Sequence, residues 1–197
     1  MAKPGKKKLA VIGAAIIAAL FAVEGPYVNN PKDPGGATNH GITERVARQH
    51  GYTGHMRDLT KDTASDIYYT DYIKKPGYEP ILERSPIVAH ELVDSAANAG
   101  PSRASRWFQV ALNALNRDQQ DYPDVVVDGK VGPATIRAYD RLIAKRGRVK
   151  SCSLMVKLLD AQQAGHYLSL TNLETFMVGW VDNRLWNVPV DRCGGEA

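Results

Sequence analysis

Between Glu24 and Thr43 the chain crowds Pro31, Pro34, Gly35, Gly36 and Gly41 into one short stretch. Prolines lack the amide donor and fix φ, and glycines favour tight turns, so no continuous helix can run through it. A hairpin or compact loop is expected, with the small polar residues Thr38 and Asn39 at the bend. Everything else has to be built around this interruption, because an uncharged apolar run ends at Val23 and helix-forming sequence resumes after Thr43.

Two acids sit in the stretch, Glu24 at its start and Asp33 nine positions later. A hairpin can hold two such carboxyl groups across one cleft. Glycosidic hydrolysis uses that pair: one acid protonates the leaving oxygen, while a second carboxylate attacks the sugar or activates water. On spacing alone the alternative is equally good, with Glu24 a helix-end carboxylate and the remainder an ordinary surface loop.

The motifs separate these readings. Glu24-Gly25-Pro26-Tyr27, Asp33-Pro34-Gly35-Gly36-Ala37-Thr38 and Gly41-Ile42-Thr43 resemble the signature of the glycoside hydrolase family 108 N-acetylmuramidases of bacteriophages. The likeness continues at Asn98 to Pro101, Asp128 to Pro133 and Phe176 to Trp180, and so covers nearly everything after residue 23. It implies that Glu24 is the catalytic acid. By the order of Glu, Asp and Thr in other phage muramidases, it implies Asp33 and Thr38 as its partners. Tyr27 and Asn98, within matched motifs, and His40, within the loop, are the expected substrate-binding residues. Pro26 replaces the second glycine of the first motif. Asp33 and Thr38 are one residue closer than their counterparts in those other muramidases.

Composition excludes some classes. With 44% hydrophobic and 23% charged residues, the chain is globular. Its formal charge of +4 and pI near 9.0 come from Lys3, Lys6, Lys7 and Lys8; without them basic and acidic residues are equal in number. Nucleic-acid binding is therefore not indicated. A local basic run from Arg141 to Lys150 can touch anionic wall polymers or lipid, or be a solvated helix end. The histidines are scattered without metal-ligand spacing, and no cofactor or metal is implied. Cys152 and Cys193 can pair in an exported protein or remain free thiols.

Residues 9 to 23 contain only Ala, Gly, Val, Ile, Leu and Phe. As a helix this run would be about 22 Å long, short of the roughly 30 Å hydrocarbon core. A cleaved signal peptide, a stable anchor and a marginal anchor all fit its composition. The candidate cleavage site Leu20-Phe21-Ala22 places a bulky Leu where a small residue is needed, which disfavours cleavage. The lysines should hold the N-terminus in the cytoplasm and send the body outward. Such an Ala/Gly-rich uncleaved segment resembles the signal-anchor-release segments of phage endolysins.

Helix signals punctuate the remainder. Thr43 is expected to cap a helix from Glu44 to His50, and Ala64, Ile67, Tyr68 and Tyr72 mark another. Ser85-Pro86 opens, and Gly100-Pro101 closes, a central helix with Ile87, Val88, Leu92, Ala96 and Ala99 on its apolar face, Glu91, Asp94 and Asn98 lying alongside. Ser102 is expected to cap the next helix, Gly132-Pro133 to start another, and Ser151 or Ser153 to cap a long one built on Leu154, Leu158, Ala161 and Tyr167. Phe176, Trp180 and Leu185 suggest a last helix. Val125 to Val127 reads as a short extended piece.

The expectation is a mostly α, lysozyme-like α+β fold with one small β-hairpin. Residues 1–23 would form the signal anchor, 24–104 the catalytic half, 105–190 a peptidoglycan-binding-like helical half and 191–197 a tail. By the resemblance, the chain would be a monomeric phage endolysin that hydrolyses the β-1,4 bond between N-acetylmuramic acid and N-acetylglucosamine. It would be held at the inner membrane through residues 9–23 and then released into the periplasm. A lytic transglycosylase and a non-catalytic membrane-tethered wall binder are the alternatives.

Overall fold

The computed structural model describes residues 6–21, 27–29, 36–171 and 173–196. Glu24 and Asp33 lie outside them. The fold is mostly helical and fits the lysozyme-like expectation, with the strands among the described residues forming one small hairpin, β1 (Thr38–Asn39) and β2 (Ile42–Thr43).

The first part of the chain runs from α1 (Lys6–Phe21) through the hairpin, α2 (Glu44–Gln49), α3 (Lys61–Tyr69) and α4 (Glu79–Arg84) to α5 (Pro86–Ala99). Local signals set most of these boundaries. Thr43 accepts the Val46 N–H at 3.4 Å, Thr60 accepts Thr63 N–H at 3.2 Å, and Ser85 accepts Val88 N–H at 3.2 Å ahead of Pro86. Each bond satisfies a donor that a helix start leaves orphaned. Gly100 ends α5 at φ 89°, a conformation open to glycine at little cost. The α3 signal continues as a π-helical turn over Thr70–Lys74.

α6 (Pro101–Ala114), α7 (Pro133–Arg146), α8 (Arg148–Leu168) and α9 (Met177–Arg184) complete the chain. α5 is central, packing against α1, α4, α6 and α8, with Val88, Leu92, Val93 and Ala96 fully buried. Phe108 of α6 meets Tyr139 of α7 edge-on at 5.3 Å. Truncating a fully buried core residue such as Leu92 or Leu112 to alanine removes about 2–5 kcal/mol.

Three expectations are corrected. Ser102 does not cap α6, because Gly100 occupies that position and Pro101 is already the first helical residue. α8 begins at Arg148, not after Ser151, whose buried hydroxyl instead donates to the Leu142 carbonyl at 3.2 Å. Its buried face is Cys152, Met155, Val156, Leu159, Asp160, Gln163 and Tyr167, while Ala161 is exposed. A face that buries Asp160 and Gln163 cannot be read from apolar periodicity.

At the N-terminus, α1 is 16 residues long, and among the described residues no helix is long and apolar enough to cross a membrane. α1 instead packs on α3, α4 and α5. Ile16 and Ile17 are buried, and Gly13 lets the Tyr69 ring approach so closely that an added Cβ would stand 2.7 Å from its Cε2.

Candidate active site

The hairpin turn is His40-Gly41, with φ of 49° and 71°. Two successive left-handed residues make the turn whose twist suits a two-residue hairpin, and a glycine in the second position carries that geometry without a Cβ penalty. Thr38 and Asn39 are therefore not at the bend. They form β1, paired with Thr43 and Ile42; a β-branched threonine is poorly suited to φ > 0.

A third piece of chain joins this small sheet. Val28 and Thr38 exchange both backbone hydrogen bonds, at 2.9 and 2.8 Å, in an isolated antiparallel bridge. The bridge closes the segment that contains Asp33 and fixes Thr38, half-buried, at its exit. Asn39, turned inward and buried, donates from Nδ2 to the Met56 carbonyl at 2.8 Å. That 3-10 turn, Met56–Asp58, also supplies Arg57, whose guanidinium lies 4.5 Å from the centroid of the Tyr27 ring. One turn thus holds both the hairpin, through the Asn39 amide, and the neighbouring bridge segment, through the cation–π contact with Tyr27. His40 is half-buried at the tip.

Asn98, half-buried, lies at the α5–α8 seam. From the last turn of α5 it donates to the Tyr167 hydroxyl on α8 at 2.6 Å, and Gln163 donates to the same oxygen at 2.7 Å. Tyr167 in turn stacks on Trp180, 5.1 Å between centroids. Glu91 and Asp94 lie in this α5–α8 seam as well, buried with Asp160 of α8. Burial, with Asp160 and Asp94 close by, pushes the Glu91 carboxyl well above the usual range against one bond from Ser95 at 3.3 Å. Burial likewise raises Asp94, offset by Arg184 at 3.0 Å. Burial pushes Asp160 up to about 6, although its Oδ1 accepts the Trp186 N–H at 2.9 Å. Fully buried acids have no route to a glycan, so this cluster organises the fold. Periodicity placed Glu91 and Asp94 beside the apolar face of α5; Asp160 and Arg184 carried no signal in the chain.

The Asp128 to Pro133 motif also has a structural account. Gln109 of α6 accepts the Gly129 N–H at 2.9 Å and donates to Asp128 at 2.8 Å, and the Lys130 N–H binds Asp128 at 2.9 Å. These bonds hold the Asp128 carboxyl below its ordinary range. Gly129, at φ 77°, lies against Ser102, where a Cβ would come within 2.6 Å of the hydroxyl. The motif is a clasped turn that joins α6 to α7. An open depression of about 460 Å³ borders it, lined among others by Asp71, Tyr72, Lys75, Ser102 and Gly129. Asp71 there accepts from Lys75 at 2.6 Å and is hydrogen-bonded to His50 at 2.9 Å, which ties the depression to the helix that follows the hairpin.

Residues 17–100 match the Glycosyl hydrolase 108 family model, and residues 103–185 match that of a Predicted Peptidoglycan domain. Among solved structures the chain is similar to SagA of Brucella abortus, at 27% identity and a TM-score of 0.63, over 97% of this chain and 94% of that one. No curated protein sequence matches.

Proposed function

We propose, from the premise that the two matched segments support a lysozyme-like glycosyl hydrolase 108 family acting on peptidoglycan, that this chain is a muramidase. It cleaves the β-1,4 bond between N-acetylmuramic acid and N-acetylglucosamine. Glu24 protonates the glycosidic oxygen, Asp33 activates water or stabilises the positive charge developing on the sugar, and Thr38 orients that water. The observation that carries the reading is the Val28–Thr38 bridge. It closes the segment bearing Asp33 on a hairpin that Asn39 pins to the body, as Arg57 does the bridge segment. A rigid scaffold under a catalytic loop is what positioning of two carboxyl groups requires. Tyr72, in the depression beyond the hairpin, supplies an aromatic ring of the kind that stacks on sugars.

Mass spectrometry of digested peptidoglycan tests this. Reducing-end muramic acid is expected from the wild type and none from Glu24→Gln, which keeps the side-chain shape but has no proton to give. Anhydro-muramic ends would make the enzyme a transglycosylase, and wild-type turnover by Glu24→Gln would remove Glu24 from the mechanism.

The finer reading is a phage lysis enzyme controlled by its first helix. α1 stops at Phe21, three residues before Glu24, so its seat on the body and a position in the bilayer exclude each other for the residues around the acid. At about 24 Å, α1 is a marginal span. Docking buries Ile16 and Ile17, each worth about 1.5–3 kcal/mol relative to exposure. The docked arrangement is then the released, active form and insertion the silent one. The disulfide between Cys152 and Cys193 supports an exported body, since such bonds persist in oxidising compartments.

A further inference from the structure

α7 carries a stripe at positions 134, 137, 138 and 141, and beneath it the connector after α6 folds into a pocket of about 420 Å³. The floor is small and apolar: the buried Ala138, the aliphatic Ala134, and the ring of Tyr122, whose hydroxyl is used up on the Leu112 carbonyl at 2.8 Å. Arg137 and Arg141, one turn apart, form one wall, and Asp124 stands among the lining residues.

The two arginines differ from their neighbours. Arg117, Lys145 and Arg146 all converge on Asp121, at 2.6, 3.5 and 3.3 Å, and neutralise the acid nearest the pocket. Asp140, next along α7, is taken by Arg84 at 2.9 Å. Arg137 and Arg141 are exposed, and among the described residues neither has a hydrogen-bond or ion-pair partner. Asp124 accepts one bond, from Asn116 at 2.6 Å, and keeps its second oxygen available. The pocket therefore presents two unused guanidinium forks beside an alanine-sized apolar floor, with the Asp124 carboxylate and the ion-paired Asp121 also in its lining.

We propose that this pocket binds the peptide stem of peptidoglycan through the stem's free carboxylates. Guanidinium groups match carboxylates in two-pronged geometry, whereas the glycan backbone offers mainly neutral hydroxyls and amides. The stem is also where the charge of peptidoglycan lies: an isoglutamyl α-carboxylate, a terminal alanyl carboxylate and, in many walls, a diamino acid whose ammonium suits Asp124. Alanyl methyl groups fit the floor of Ala134 and Ala138. The inference rests on reading residues 103–185 as the wall-contacting half, and gives that half a ligand distinct from the glycan cleaved by the other.

The test is a titration of the full chain with a soluble stem tetrapeptide, L-Ala-γ-D-Glu-meso-diaminopimelate-D-Ala, followed by NMR shifts and calorimetry. Shifts should centre on α7 and residues 121–125. Arg137→Ala/Arg141→Ala should weaken affinity tenfold or more. Ala134→Leu, at an exposed position, should weaken it similarly by filling the pocket without touching a charge. Glu24→Gln should bind as the wild type does, which separates this proposal from the muramidase reading: that reading fails on reducing ends, this one on stem affinity. Unchanged affinity in both pocket variants, or an absence of stem binding by the folded wild type, overturns it. So does a phosphate-rich wall polymer that binds more tightly than the stem and loses its binding in the same variants.

Discussion

Replacing Asp160 by Asn removes one titrating carboxyl from the α5–α8 seam and should change how stability depends on pH. Asp160 is buried, its Oδ1 accepts the Trp186 N–H, and among the described residues its Oδ2 has no partner. Burial raises its pKa from 3.8 to about 6. A raised folded-state value means that the folded protein holds the proton more tightly than the unfolded chain. The stabilisation is complete below about pH 4 and is lost as pH rises through 6. Two pKa units correspond to about 3 kcal/mol, or roughly 6–12 °C in Tm for a protein of this size. Asparagine keeps the acceptor for Trp186 but introduces an unpaired donor costing about 1–3 kcal/mol, and that cost is the same at every pH. The sign of the change at pH 7 therefore depends on two opposed terms, whereas the slope does not. Thermal or urea melts at pH 4 and pH 7 should show the variant gaining about 3 kcal/mol on the wild type between the two. Burial, with the charge of Asp160 close by, also raises Glu91, so Glu91→Gln should flatten the same slope, and the double variant should gain less than the sum. Parallel pH curves for wild type and Asp160→Asn would refute the argument.

The Cys152–Cys193 bond closes a loop of 41 positions and ties the C-terminal turn, Val190–Glu196, to α8. Loop entropy of that length is worth about 4 kcal/mol, so Cys152→Ser/Cys193→Ser should melt roughly 8–16 °C lower while still cleaving peptidoglycan; loss of activity in the folded double variant would mean that the bond acts on the catalytic half. Gly13→Leu should clash with the Tyr69 ring in the docked position of α1 and favour the bilayer. Fractionation should then find the chain in the membrane and lysis delayed, and lysis on schedule by a membrane-bound variant would sink the release reading.

Features decided within a few residues were legible in the chain. A cap such as Thr43 or Ser85 bonds an amide three positions on, and Gly100 or Gly41 relieves a steric conflict inside its own dipeptide. These are local sterics and local hydrogen bonds, so the starts of α2 and α5, the end of α5 and the presence of a hairpin after Val23 could be read without a fold, while the starts of α6 and α8 and the place of the bend could not. What faces what could not. The core face of α8 was expected on Leu154, Leu158, Ala161 and Tyr167, yet the seam buries Asp160 and Gln163 and leaves Ala161 exposed. Their partners Glu91, Ser95, Asp94 and Tyr167 come from distant positions and from the next turn. Cys152 and Cys193 are compatible with two free thiols until packing brings their Cα atoms to 5.8 Å. Asn98 reads as a site residue in its motif and becomes a seam residue only when Tyr167 arrives beside it. The free arginines of α7 are distinguishable from Arg117, Lys145 and Arg146 only because the fold brings those three, and not Arg137 or Arg141, into ion-pair distance of Asp121. Charge and residue type belong to the sequence. Which charges are spent, and which remain available to a ligand, is decided by distances that only the tertiary structure sets.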